Sequence, residues 1–259
     1  MGCCKVSNQI QKEFETPKEA VRLNKFLSEA GVCSRREADR LIESGRVTVD
    51  GKRAETGMRV TKEQEVCVGK KVIQKKDRMV LLAVNKPTGI VCTEEKREKK
   101  NIIRFLNYPT RITYIGRLDK DSEGLLLMTN NGDIINKMMR AGNCHEKEYK
   151  VTVNKEVTKE FVRKMSEGVP ILDTVTRPCT VEKIGKYKFR IILTQGLNRQ
   201  IRRMCEYFGY QVTRLERIRV MNIELGNLKS GEYREVTKKE LDELYELLKG
   251  SSNNTVYEE

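Results

Sequence analysis

The chain has 259 residues, 34% of them charged, and a formal net charge of +14. That length can bury a real core without external staples, and a basic excess of that size points to a polyanionic partner, nucleic acid first. No apolar run approaches a spanning helix and no secretory core segment is visible, so a membrane protein is set aside and a cytoplasmic one expected.

Residues 1–20 are polar and aperiodic and read as a mobile N-terminal arm; Val6 stands where a myristoylation pattern needs Ser or Thr. The spacing of Leu23, Phe26, Leu27 and Ala30 predicts a helix closing at Gly31. Ser34 and Glu37 read as a capping box for a second helix that runs through Ser44 and stops at Gly45. Val47 and Val49 then alternate into Asp50-Gly51, a hairpin turn, and short strands continue to about Val72. Residues 21–73 are thus predicted to form a small αα-β domain. On its second helix Arg35, Arg36 and Arg40 share a solvent face opposite Ala38, Leu41 and Ile42. Because residues 21–80 hold fifteen basic groups against nine acidic ones, that face is assigned to RNA phosphates.

The charged residues 74–78 read as a linker, followed by a larger domain over 79–249 and a disordered tail over 250–259. Met79 to Val84 reads as a buried strand running into Lys86-Pro87. Further strands are expected near 113–118, 125–129, 149–153, 188–194 and 212–223, and helices near 132–140, 158–167, 198–208 and 237–248. That mixture predicts an α+β domain with a mixed sheet rather than a regular βαβ array. The last helix opens with a capping box, Thr237 and Glu240, and residues 232–259 carry four basic and eight acidic groups, so the basic surface lies elsewhere. Eight cysteines include no C-x-x-C pair and the single histidine is His145, which favours free thiols in a reducing cytosol over a metal site.

Several residues are candidates for chemistry. Asp119 lies in a polar turn before Leu125, Leu126, Leu127 and Met128, where a carboxylate is ordinarily a turn former. Asp121 and Asp133 rival it by residue type, though Asp133 follows Asn131-Gly132 as a helix cap. Alternation puts Arg117 and Asp119 on one strand face. On the 198–208 helix Ile201, Met204, Cys205 and Phe208 define the buried side; Arg199 and Arg203 point away, and Arg202 alone lies at the border, able to reach a partly buried partner. Tyr149 alternates with Val151 and Val153 like a core or cross-strand tyrosine, Lys86 reads as a turn residue able to brace a neighbouring loop, and His145 as a surface residue.

The stretch G-R-L-D-K-D-S-E-G-L-L-L-M-T-N resembles the central motif of the RNA pseudouridine synthases, in the branch that modifies ribosomal RNA. N-K-P-T-G at 85–89, H-E-K-E-Y-K-V-T-V at 145–153 and L-N-R-Q-I-R-R-M at 197–204 follow in that family's order. Residues 22–51 are similar to an S4 RNA-binding module, so the resemblance covers roughly 21–248 and is nearest to the F-type large-subunit enzymes. It implies an isomerase that needs no cofactor and no metal: the uracil glycosidic bond breaks, the base turns and C5 rejoins the sugar. By the same resemblance Asp119 is the carboxylate at the sugar, acting by covalent attack or through a glycal-like intermediate. Arg202 is the cation that keeps it ionised, and Tyr149 the aromatic that stacks on the uracil and stands near the C5 proton. Arg117 holds a phosphate or fills the space of the flipped base, and Arg199, Arg203 and Lys86 complete the expected RNA contacts. The expected partner is 23S rRNA, with 16S rRNA, tRNA or a ribosomal assembly intermediate as alternatives, bound by a monomer. Two rival readings are a noncatalytic ribosome-assembly protein and a hydrolase releasing free uracil, though the paired carboxylates of the latter are not evident.

Overall fold

The computed structural model describes residues 20–74 and 79–251, so the expected arm, most of the linker and most of the tail lie outside the described residues. The chain divides into two compact units, Met1–Lys76 and Asp77–Glu259.

The first unit begins with β1 (Val21–Arg22), α1 (Leu23–Glu29) and α2 (Arg35–Glu43) and continues with β2 (Val47–Val49), β3 (Lys52–Arg53), β4 (Arg59–Val60), β5 (Val66–Val68) and β6 (Lys71–Ile73). Ser34 caps α2 by accepting from the Glu37 N–H, while the Glu37 carboxylate turns to Arg40, so only half of the capping box forms. Asp50 and Gly51, both at positive φ, make the tight turn between β2 and β3, as the dipeptide predicts. The sheet order is β3-β2-β5-β6, with β1 and β4 paired separately, and Leu23, Leu27, Ala38, Ile42, Val47 and Val66 form the core beneath the helices.

The second unit runs β7 (Leu81–Lys86), α3 (Ile102–Leu106), β8 (Thr113–Ile115), β9 (Glu123–Thr129), α4 (Gly132–Met139), β10 (Lys147–Val153) and α5 (Lys159–Ser166). It continues with β11 (Pro170–Ile171), β12 (Thr174–Val175), β13 (Thr180–Gly185), β14 (Lys188–Leu193), α6 (Gln200–Tyr207), β15 (Val212–Val220), β16 (Ile223–Glu224), β17 (Tyr233–Glu235) and α7 (Lys238–Leu248). The main sheet has the order β13-β14-β10-β15-β9-β7-β17; every pairing along it is antiparallel except β15 with β9. The mixed sheet expected of an α+β domain is therefore present.

The apolar run of β9 is explained by burial on both faces. Leu125 and Leu127 pack with Ile134, Met138, Leu244 and Leu248, whereas Leu126 and Met128 pack with Leu82, Val84, Ile102 and Leu118. Along one edge β9 is covered by β7 from Gly124 to Thr129. Its other edge is shared between β15, at Glu123 and Gly124, and β8, at Leu127 to Thr129. The chain that leaves β8 and re-enters as β9 diverges from the sheet near this change of neighbour, and Asp119 is on that loop.

Candidate active site

Gly116, at φ 71°, turns the chain out of β8 one residue after Ile115. Residues 116–122 are consequently a loop, and the expected strand face shared by Arg117 and Asp119 does not exist; the two residues are instead pinned by Leu118, buried between them. Both still line one cleft of about 570 Å³, together with Tyr149.

The Asp119 loop is braced from several sides. The Ser122 N–H donates to the Asp119 carbonyl at 3.1 Å, closing a turn, and the Gly89 N–H donates to the Lys120 carbonyl at 2.8 Å. Arg202, 8% exposed, donates from Nη2 to the Asp121 carbonyl at 3.1 Å and from Nη1 to the Val212 carbonyl at 3.2 Å. It belongs to the buried side of α6 rather than its border, and its bonds go to backbone carbonyls of the loop and of the start of β15.

The cation at the carboxylate is Arg199. Its Nη1 stands 3.7 Å from an Asp119 oxygen and 3.9 Å from Asp121. The helix was expected from 198, yet α6 starts at Gln200, and Arg199, at φ 50°, is the residue before it. A helical wheel therefore mispositions its side chain, which swings toward the loop instead of away from it. Arg203 donates to the Asn198 carbonyl at 3.1 Å and steadies this same helix entrance while remaining partly exposed.

Lys86 corrects a further expectation. It is fully buried, and its Nζ donates to the Pro87 and Ile90 carbonyls at 2.8 Å each, so no RNA phosphate reaches it. It is the loop brace allowed by the sequence: it shapes residues 87–90, which carry the Gly89 N–H to Lys120. Burial pushes its pKa below the ordinary lysine value, opposed by Cys92 and then by the carboxylates of Asp119, Asp121 and Glu123. Asp133 is also corrected: Asn131 caps α4, accepting from the Asp133 and Ile134 N–H groups, and Asp133 sits in the first turn.

Tyr149 is partly buried, packs against two hydrophobic clusters and presents itself to the cleft, combining the core position expected from alternation with access to a ligand. His145 also lines the cleft, with Nε2 3.1 Å from the Lys137 carbonyl; burial lowers its pKa. In the first unit Arg35, Arg36 and Arg40 are exposed on α2 as expected, Arg40 pairing with Glu37 at 3.0 Å.

Four basic cleft residues escaped the sequence reading: Lys120, Arg140, Lys147 and Arg217. Lys147 lines the cleft, and burial followed by the charge of Arg217 pushes its pKa down. Arg217, 3% exposed, extends from β15 and donates from Nε to the Leu125 carbonyl at 2.7 Å. The available signal was its spacing: Arg217 is two residues beyond the inward Leu215, where an arginine is rarely placed without a partner or a purpose.

The comparisons with known proteins place the chain in a family. Residues 80–207 match the family model described as RNA pseudouridylate synthase, and residues 21–66 match the S4 domain. The chain is 56% identical over 236 residues to the dual-specificity RNA pseudouridine synthase RluF of Salmonella typhi, covering 90% of this chain and 82% of the relative. It is 33% identical over 241 residues to the ribosomal large subunit pseudouridine synthase B of Bacillus subtilis, covering 90% and 98% respectively. A crystal structure of a pseudouridylate synthase superimposes with a TM-score of 0.64 at 27% identity, over 86% of this chain and 99% of that one.

Proposed function

Because the chain belongs to the RNA pseudouridylate synthase family and is an RNA-modifying isomerase, we propose that Asp119 acts on the sugar of a uridine flipped out of ribosomal RNA, with 23S rRNA as the favoured target. The observation that carries this reading is the placement of one carboxylate, Asp119, in a cleft of about 570 Å³ that it shares with Tyr149, with Arg199 3.7 Å away. Cleavage of the C1′–N1 bond calls for a carboxylate at the sugar, and Arg199 sets an opposite charge beside it. Tyr149 offers an aromatic face to the uracil and a hydroxyl near the departing C5 proton. Arg202 acts as a positioning residue, holding the Asp121 carbonyl and with it the turn that presents Asp119. Arg117, Arg199 and the partly exposed Arg203 meet the phosphates flanking the flipped nucleotide. The S4 unit adds a second set of phosphate contacts through Arg35, Arg36 and Arg40, and the enzyme works as a cytoplasmic monomer.

The large-subunit target is supported by the name of the Bacillus subtilis relative, which is 33% identical to this chain. The dual specificity in the name of the Salmonella typhi relative favours a second RNA substrate, for which a structured tRNA is the candidate. Tritium release from RNA made with C5-tritiated uridine tests both, using wild type and Asp119→Asn on protein-free large-subunit rRNA, small-subunit rRNA and tRNA. Wild type is expected to release tritium from large-subunit rRNA and Asp119→Asn to release none while still binding. Equal release by both proteins would remove Asp119 from the chemistry, and release from small-subunit rRNA alone would overturn the target.

A further inference from the structure

Arg217 is a buried cation whose hydrogen bonding is incomplete. Nε is satisfied by Leu125, but the buried Nη2 has no hydrogen-bond partner. The residue lines the cleft that holds Asp119, and across β10 and β15 it is the register partner of Tyr149. Directly opposed residues of an antiparallel pair project to the same face, so the guanidinium and the aromatic ring stand side by side on one wall. A buried donor left unpaired loses its hydration without compensation, a heavier cost when it is charged. Such a group is explained when a ligand supplies its acceptor.

The depth of Arg217 decides which acceptor. A flipped nucleotide keeps its phosphates with the RNA strand at the mouth of the cleft, where the exposed Arg117 and Arg199 stand. The group that travels inward is the base, and its acceptors are the carbonyls O2 and O4. We propose that Arg217 Nη2 donates to a carbonyl of the flipped uracil and that it serves first one carbonyl and then the other as the base turns.

When the C1′–N1 bond breaks, its electron pair passes to N1 and spreads onto O2 and O4. A charged donor at either oxygen stabilises the departing base more than the bound nucleotide, which is the condition for a rate effect. Rejoining through C5 requires N1 and C5 to exchange places, a half-turn about the N3–C6 axis. The same half-turn exchanges O2 and O4, so a donor placed for one carbonyl before the turn is placed for the other after it. C5 then bonds to C1′, displacing the Asp119 ester or adding to the glycal; its hydrogen leaves as a proton and N1 takes one up, so no oxidant or reductant enters.

This inference rests on the active-site reading above, and its test uses an RNA from which the wild type already releases tritium, so that failure of the Arg217 assignment is distinct from failure of the isomerase. A synthetic stem-loop around the mapped uridine carries uridine, 2-thiouridine or 4-thiouridine at that one position, since sulfur accepts a hydrogen bond poorly. Single-turnover rates are followed by nucleoside mass spectrometry for wild type, Arg217→Gln and Arg217→Lys, with thermal melts to identify any variant that fails to fold. Arg217→Gln is expected to slow uridine conversion about 100-fold at saturating RNA. The effect of each thio substitution should differ between wild type and Arg217→Gln by about tenfold, the coupling expected of groups in contact. Arg217→Lys, which keeps the charge but not the fork, should show the same altered coupling. Equal thio effects in all folded proteins would overturn the proposal and leave Arg217 as a strand brace.

Discussion

Replacing Gly124 by alanine should separate the two halves of the active site. Gly124 has φ 101°, and a Cβ there would lie 2.3 Å from the Arg217 carbonyl oxygen and 2.7 Å from its nitrogen. Neither atom belongs to a side chain that can swing aside, because Arg217 is in register with Tyr149 on one flank and with Gly124 on the other. The backbone conformation costs an alanine about 1–3 kcal/mol, and relieving an overlap of that size in a packed sheet about 1–3 kcal/mol more. A total of about 2–6 kcal/mol follows, or a melting temperature lowered by about 5–20 °C for a domain of this size. The parallel β9–β15 pair has only two register pairs, Glu216 with Glu123 and Arg217 with Gly124, yet it joins the strands that carry Tyr149 and Arg217 to the strand that follows Asp119. A shift near 1 Å there should lower kcat about 100-fold even in the protein that remains folded. Thermal melts and single-turnover tritium release measure the two effects. Gly142→Ala, where a Cβ meets nothing within 4 Å, is the control and should change stability by less than about 1 kcal/mol. Gly124→Ala with wild-type melting and rate would refute the close-approach argument.

Five other substitutions separate the remaining roles. Arg202→Met removes bonds to the Asp121 and Val212 carbonyls and should cost about 2–4 kcal/mol and most of the activity, whereas Arg199→Gln breaks a half-exposed ion pair, should leave stability within about 0.5 kcal/mol and should slow turnover several-fold; denaturant melts beside single-turnover rates distinguish them. Glu240, hydrogen-bonded by Arg234 and by Thr237, has its pKa lowered from 4.5 to about 2. The stability it contributes is complete above the unfolded value and lost as pH falls from about 5 to 2, so Glu240→Gln should cost about 1–2 kcal/mol at neutral pH and flatten the acid side of the stability profile. Arg35→Ala with Arg36→Ala should weaken RNA binding and reduce the slope of log K against log salt by about 1–2, leaving the turnover of bound RNA unchanged; an unaltered slope in a filter-binding titration would remove these residues from the interface.

Local patterns carried much of the architecture. The helices expected near 132–140, 158–167 and 237–248 appear as α4, α5 and α7 to within two residues, because each has an apolar stripe and a polar N-cap: Asn131, Thr158 and Thr237. The elements that were missed lack such signals. α3 is one short turn capped by Asn101, and β13 and β17, at the two edges of the main sheet, have no fully buried residue and depend on β14 and β7 beside them. At the site, Asp119, Tyr149 and Arg202 were legible through a resemblance to known motifs and by position, since residue type alone made each an ordinary turn, core or border residue.

What the sequence determined by itself was the family and the division into an S4 module and a mixed-sheet domain, because these are written in contiguous residues and short periodicities; it also nominated Asp119 among the three carboxylates of the central motif. Only the tertiary structure decided which cation meets that carboxylate, that Lys86 is sealed inside, and that Arg217 enters the cleft. Two of these join segments far apart in the chain: Arg199, left-handed before α6, meets Asp119, and a parallel contact lays Arg217 across Gly124; Lys86 is captured locally by the Pro87 and Ile90 carbonyls and sealed by the packing around it. Sequence periodicity reports which face of an element is buried, and it carries no record of what the neighbouring element brings to that face.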